Sequence, residues 1–205
     1  MRCSEPARLS RPLLPAHRLR PRHAAVAPSA RFAELGVVRR CYARPEMNIT
    51  WQSVSREFEP DGSLRDIYVS PATPHDWQRV LDFVRQHGSE VCYSLDGQSA
   101  SVPVSVDEPF AAREHSSPLL TFRFGGIHFA AHFFCDDEVE FDIVPNDIRS
   151  ASEFDSLCGF LQRIGDLLSK PVSLTPENCG EDAFLVYHPN SREFSHAPSA
   201  FNRNA

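Results

Sequence analysis

The sequence predicts an α+β protein: a largely antiparallel meander sheet with two amphipathic helices packed on one face. Three observations carry this prediction. Two segments repeat apolar side chains at helical spacing, several short segments alternate apolar and polar residues, and glycine-containing turns separate the alternating segments. The order is two strands, a helix, five strands, a helix and two strands, which is typical of helices that cover one face of a sheet.

The 205 residues divide into three parts. Residues 1–46 are basic and rich in Arg and Pro, and we expect them to be disordered. Residues 47–189 form a single α+β domain, and residues 190–205 form a polar C-terminal tail. Three explanations of the first segment remain open: a translation start assigned upstream of Met47, a basic disordered arm, or an organelle transit peptide.

Charge is divided unevenly between these parts. Residues 1–46 contain ten Arg, no Lys and three Glu, a net charge of +7, and the rest of the chain carries −13. An acidic body is poorly suited to a phosphate backbone, so we expect no nucleic-acid partner. No apolar run approaches the roughly 20 residues needed to cross a bilayer, so we expect no membrane partner and a cytoplasmic location.

The first predicted elements are a hairpin and a helix. The segments "NITWQSVSREF" and "LRDIYVS" flank a turn at Asp61–Gly62, which predicts two paired strands. In "TPHDWQRVLDFVRQHG", Thr73 is a suitable N-cap, Pro74 suits the first helical position, and Gly88 ends the apolar repeat. The sequence therefore predicts a helix between Thr73 and Gly88.

Five strands are predicted between the two helices. The first two, "EVCYSL" and "QSASVPVSV", flank a turn at Asp96–Gly97, and Pro103 places the second of them near a sheet edge. The next two meet at a two-residue turn, Gly125–Gly126, which places Phe124 opposite Ile127. In this register the apolar side chains of both strands fall on one face.

The fifth strand follows an acidic turn. A two-residue loop would place apolar residues opposite polar ones, whereas a three-residue loop, Asp136–Glu138, pairs Phe133 with Phe141 and His132 with Asp142. A slip of one residue exchanges every side chain between the two faces, so we prefer the three-residue loop.

The second helix and the last two strands complete the domain. Ser150 and Glu153 have the spacing of a capping box, and apolar side chains then recur every three or four residues up to residue 168. The segments "PVSL" and "AFLVYHP" are short and apolar, which predicts two further strands.

The polar face of the central strands holds the candidate binding residues. His128, predicted opposite Arg123, and His132 share this face, but four strand positions separate them by about 13 Å, so they do not share a metal ion. The H-E-x-x-H motif of zinc proteases is not present, because Phe129 follows His128. The candidate partner-binding residues are Arg123, His128, His132, Glu138, Glu140 and Asp142.

The preferred functional hypothesis is a non-catalytic acidic module of the bacterial cytoplasm that binds a basic protein surface. No nucleophile elbow, glycine-rich phosphate loop or paired C-x-x-C motif occurs, so we assign no catalytic residue, cofactor or metal. Bacterial immunity proteins, which neutralise toxins, often have this size, acidity and fold class, so an immunity-type protein is one form that such a module could take. A regulatory protein is the other. The alternative is a metal-dependent enzyme or sensor that uses the His, Arg and carboxylate side chains of the polar face.

Overall fold

The computed structural model describes residues 49–200 and residue 202. The segment predicted to be disordered, 1–46, lies outside the described residues. The described helices are α1 (Trp51–Val54), α2 (Pro74–His87), α3 (Asp107–Ala112) and α4 (Ala151–Leu168). The strands are β1 (Arg65–Val69), β2 (Ser89–Leu95), β3 (Gln98–Ala100), β4 (Pro118–Phe124), β5 (Ile127–His132), β6 (Val139–Ile143), β7 (Val172–Pro176), β8 (Leu185–His188) and β9 (Glu193–His196).

The nine strands form one antiparallel sheet in the order β3-β2-β4-β5-β6-β1-β7-β8-β9. The α+β fold class and the antiparallel sheet are therefore as predicted. Two neighbours depart from a simple meander: β4 pairs with β2 rather than β3, and β1 lies between β6 and β7. The short strand β3 is at one edge, as Pro103 indicated.

The predicted first strand is wrong. Residues 51–54 form α1, and Ser55–Phe58 form a turn of 3-10 helix. The apolar residues Trp51, Val54 and Phe58 have helical rather than alternating spacing. The rings of Trp51 and Phe58 both contact Phe154 of α4, at centroid distances of 6.2 Å. This segment therefore packs against a helix instead of pairing with β1.

The two long helices begin close to their predicted starts. In α2 the Thr73 hydroxyl accepts a hydrogen bond from the backbone N–H of Asp76, as expected of an N-cap. In α4 the Ser150 side chain makes no capping hydrogen bond, and Glu153 accepts from the backbone N–H of Arg149 instead. The proposed capping box at Ser150 is therefore replaced by a contact one residue earlier.

Aromatic side chains join the helices to the sheet. Phe160 of α4 lies 4.1 Å from Phe129 and 5.3 Å from Phe141, measured between ring centroids. Phe83 of α2 lies 5.8 Å from Phe124. All of these sheet residues have side chains on the apolar face that the alternation predicted, and burial of such large rings is a major source of stability.

The register of the β4–β5 hairpin is as predicted, with Phe124 opposite Ile127. The β5–β6 register differs by two residues, because Ala131 rather than Phe133 lies opposite Phe141. The connecting loop is six residues long, 133–138. Phe133 leaves the strand to pack against Trp77 at 4.9 Å. A shift of two residues keeps every side chain on its predicted face.

The segment predicted to be a polar tail takes part in the sheet. Residues Glu193–His196 form the outer strand β9, and Phe194 packs against Tyr187 at 5.1 Å. Farther on, Ser199 is buried and donates two hydrogen bonds to the carboxylate of Glu57. Domain contacts therefore continue about ten residues beyond the predicted end of the domain.

Within residues 49–200, none of the helices combines the length and the apolar character that crossing a membrane requires.

Candidate functional site: an acidic open face

The sheet has one apolar face and one face whose side chains stay partly exposed, which we call the open face. Along β5 and β6, and along β4 as far as Arg123, the burial of side chains alternates, because every second side chain points away from the helices. In the centre of the sheet the open face carries Thr121, Arg123, His128, Ala130, His132, Glu140, Asp142, Asp66, Tyr68, Ser173 and Thr175. Two of these, Asp66 and Thr175, are buried beneath their neighbours.

Three carboxylates meet in the middle of the open face, and we call them the acidic cluster: Asp66, Glu140 and Asp142. One oxygen from each lies within 4.8 Å of the others. Strand pairing produces this arrangement, because Asp66 lies directly opposite Asp142 across the β1–β6 pair. Two neighbouring strands thus concentrate negative charge at one place.

Tyr68 connects two members of the cluster. Its hydroxyl lies 2.9 Å from an Asp66 oxygen and 3.2 Å from a Glu140 oxygen. A tyrosine hydroxyl has only one proton to donate, so both contacts are hydrogen bonds at once only when one of the two carboxyl groups is protonated and donates to the hydroxyl oxygen. The same Asp66 oxygen accepts the backbone N–H of Asn178 at 2.7 Å.

The cluster favours the protonated forms of two carboxylates. Burial is the main cause that raises the pKa of Asp66, and the neighbouring charge of Asp142 adds to it, although the hydrogen bonds from Asn178 and Tyr68 oppose the rise. Burial likewise raises the pKa of Glu140, aided by the charges of Asp142 and Asp66. Each proton bound here relieves repulsion between like charges.

His132 borders the cluster. Its Nε2 lies 3.2 Å from a carboxylate oxygen of Asp142, although the register places the two residues diagonally rather than directly opposite each other. The hydrogen bond to Asp142 raises the pKa of His132, against the opposing effect of burial. The imidazole ring also stacks parallel to the ring of Phe134, at a centroid distance of 4.8 Å.

The structure separates Arg123 and His128 from the acidic cluster. They lie opposite each other at the far end of the β4–β5 hairpin. Arg123 forms an ion pair with Glu90 at 3.1 Å, and the backbone N–H of His128 donates to the Asp147 carboxylate. The alternation of side chains in the sequence predicted the face of both residues, but in the structure they lie at the edge of the site.

Glu138 lies on the loop before β6, with its side chain partly exposed. Together with Tyr68 and Ser173 it lines a cavity of about 400 Å³ beside the cluster. Asp66 and Tyr68 themselves were not among the predicted site residues. The alternation in "RDIYV" indicates that they share a face, but only the strand order shows that this face continues into Glu140 and Asp142.

The cluster is suited to binding a positive charge. Among residues 49–200, no Arg or Lys side chain lies within 4.0 Å of its carboxylates, and His132 is their only ion-pair partner. Carboxylate oxygens in this grouping fit either a hard metal ion or a guanidinium or ammonium group. The nearby Cys135 is a poor nucleophile, because burial and the acidic neighbours Asp137 and Glu138 raise the pKa of its thiol.

Comparison with protein-family models, curated proteins and solved structures finds no significant match to this chain.

Proposed function

We propose that the protein is a non-catalytic binding module that docks a basic protein surface through the open face. The observation that supports this function is the acidic cluster: three carboxylates within 4.8 Å, without a neutralising Arg or Lys from the described part of the chain. Such a grouping costs stability in the free protein, and a partner's cation would remove that cost. An immunity protein or a regulatory protein of the bacterial cytoplasm is the kind of molecule that we propose.

The test compares wild-type protein with the double variant Glu140→Gln/Asp142→Asn in affinity capture followed by quantitative mass spectrometry. Wild-type protein should enrich proteins with basic surfaces, the variant should lose them, and moderate salt should reduce the capture because it screens the charges. Asp66 is kept unchanged, since it accepts a hydrogen bond from the Asn178 backbone.

A charge-matched control is the double variant Glu59→Gln/Glu193→Gln. Both glutamates are exposed and lie outside the open-face cluster, so this variant has the same net charge with the cluster intact. It should capture the same basic proteins as wild type. Capture that is equally reduced in both variants, or that is insensitive to salt, would contradict docking through the open face.

The second candidate, a metal-dependent enzyme or sensor, is favoured by the same 4.8 Å grouping of oxygens. It would use Asp66, Glu140, Asp142 and His132, because His132 pairs with Asp142, whereas among residues 49–200 no ion pair joins Arg123 or His128 to these carboxylates. Calorimetric titration with Mg²⁺, Mn²⁺ and Ca²⁺ distinguishes the candidates. Stoichiometric binding that the Glu140→Gln/Asp142→Asn variant loses would favour the metal site over protein docking.

A further inference from the structure

Phe134 is an exposed aromatic residue at the rim of the open face. It follows β5 by two residues, so it stands on the same side of the sheet as His132, on whose imidazole its ring stacks. Two thirds of Phe134, 66%, is exposed to solvent. Its neighbour Phe133 is buried against Trp77, so the chain separates two adjacent phenylalanines between core and surface.

The loop that carries Phe134, residues 133–138, is held firmly in place. Four of its six carbonyl oxygens accept hydrogen bonds from groups outside the loop. The donors are the indole of Trp77 to Cys135 and Glu138, the guanidinium of Arg113 to Phe134, and the backbone N–H of Ala72 to Asp137. A ring presented on such a loop loses little further freedom when a partner covers it.

Charge and shape around Phe134 complete a docking surface. Asp136 and Asp137 of the same loop are exposed, with Asp136 3.9 Å from the Arg113 guanidinium, and the acidic cluster begins at Asp142, which is bonded to the imidazole beneath the Phe134 ring. Phe134 lines a groove of about 450 Å³ together with His132, Arg113 and Pro118. An aromatic ring with carboxylates around it is the arrangement of a binding hot spot with a polar rim.

We infer that Phe134 is the apolar anchor of the docking surface, and that the partner is a protein with an apolar pocket rimmed by Arg or Lys side chains. This inference rests on the proposed docking function. A partner that recognised charge alone would leave the Phe134 ring in water, whereas a pocket that encloses the ring also brings its basic rim within reach of the loop and cluster carboxylates.

The test uses two synthetic peptides of equal length and equal positive charge as probes, one built from Arg and Leu and the other from Arg and Ser. Binding of each labelled peptide to the full chain is measured by fluorescence anisotropy at low salt. The Arg/Leu peptide should bind at least about tenfold more tightly, which corresponds to about 1.4 kcal/mol. Phe134→Ala should remove this preference and leave the affinity for the Arg/Ser peptide unchanged.

Val144→Ala is the matched control, because Val144 is also exposed, at 41%, and lies at the opposite end of β6. It should keep the preference. Equal binding of both peptides by wild type, or a preference that survives in Phe134→Ala, would overturn the anchor and leave docking by charge intact. Binding of neither peptide would count against the docking function itself, and a preference lost equally in Val144→Ala would overturn the assignment to Phe134.

Discussion

Replacing Glu140 with glutamine should stabilise the protein at neutral pH. The substitution removes the charge of Glu140 from a cluster whose oxygens lie within 4.8 Å. The glutamine amide can still hydrogen-bond the Tyr68 hydroxyl, because its N–H can donate to the hydroxyl oxygen while that hydroxyl donates to Asp66. Two unit charges at this distance repel by about 0.9 kcal/mol in water and by about 1.7 kcal/mol at an effective dielectric constant of about 40. Because two neighbours are relieved and Glu140 is only partly buried, so that water screens its charge, we expect the free energy of unfolding to rise by about 1–2 kcal/mol.

The gain should depend on pH in one direction. Burial and the neighbouring carboxylates raise the pKa of Glu140, so the folded state binds this proton more tightly than the unfolded state does. The loss of stability caused by the ionised Glu140 carboxylate is therefore absent below the ordinary pKa of a glutamate and grows as the pH rises through the folded-state pKa. Glu140→Gln should gain stability near pH 7.5 and show little gain near pH 4.

Urea unfolding of wild type and Glu140→Gln at both pH values measures this difference. Glu193→Gln is the control, because Glu193 is exposed on the edge strand β9 and should change stability little at either pH. A loss of stability near pH 7.5, or the same change at both pH values, would refute the electrostatic argument. Under the proposed docking function, the same variant should also bind a basic partner less well.

Three further predictions concern stability measured by urea unfolding. The hydrogen bond to Asp142 raises the pKa of His132, so the stability that this pair contributes is present below the ordinary histidine pKa and is lost as pH rises through the folded-state pKa. His132→Asn should therefore cost about 0.5–1 kcal/mol more near pH 5.5 than near pH 8.5, and a pH-independent cost would argue against the pairing. Gly165→Ala should lower the free energy of unfolding by about 1–3 kcal/mol, because the added Cβ would lie 2.5 Å from the Tyr187 ring. Gly159→Ala, in the same helix, adds a Cβ that meets nothing within 4 Å and should raise the free energy of unfolding by about 0.5–1 kcal/mol. Equal effects of the two variants would contradict this packing. Glu57→Ala removes the acceptor of the backbone N–H and the hydroxyl of buried Ser199, so it should lower the free energy of unfolding by about 2–4 kcal/mol. It should also speed digestion by carboxypeptidase, and unchanged digestion would show that this contact does not hold the C-terminal end.

Local signals in the sequence predicted most of the elements. The helix from Thr73 to Gly88 and the Gly125–Gly126 hairpin depend on capping and turn residues that act on their immediate neighbours. The error at residues 51–58 has the same local origin, because three apolar residues in eight fit both a short helix and a strand. The ring of Phe154, distant in sequence, decides between them.

Non-local contacts explain what the sequence did not show. Alternation sets the face of each side chain but is unchanged by a shift of two residues, so it could not distinguish a three-residue loop before β6 from the six residues observed. Trp77 decides the loop length by drawing Phe133 out of the strand. Likewise, the alternating pattern predicts the faces of His132, Glu140 and Asp142. Asp66 lies beside them only because β1 pairs with β6 in the sheet, which the pattern does not show.

The central position of β1 has a consequence for synthesis of the protein on the ribosome. Asp66 pairs with Asp142 on one side and with Thr175 on the other, so its partners are translated about 75 and 110 residues later, which takes on the order of 4–20 s at typical elongation rates. Until then the apolar side chains of β1 have no sheet to join, a state that invites chaperone binding. The acidic cluster is complete only once β1 has paired with β6, so the proposed binding surface cannot form before residues of both strands have been synthesised.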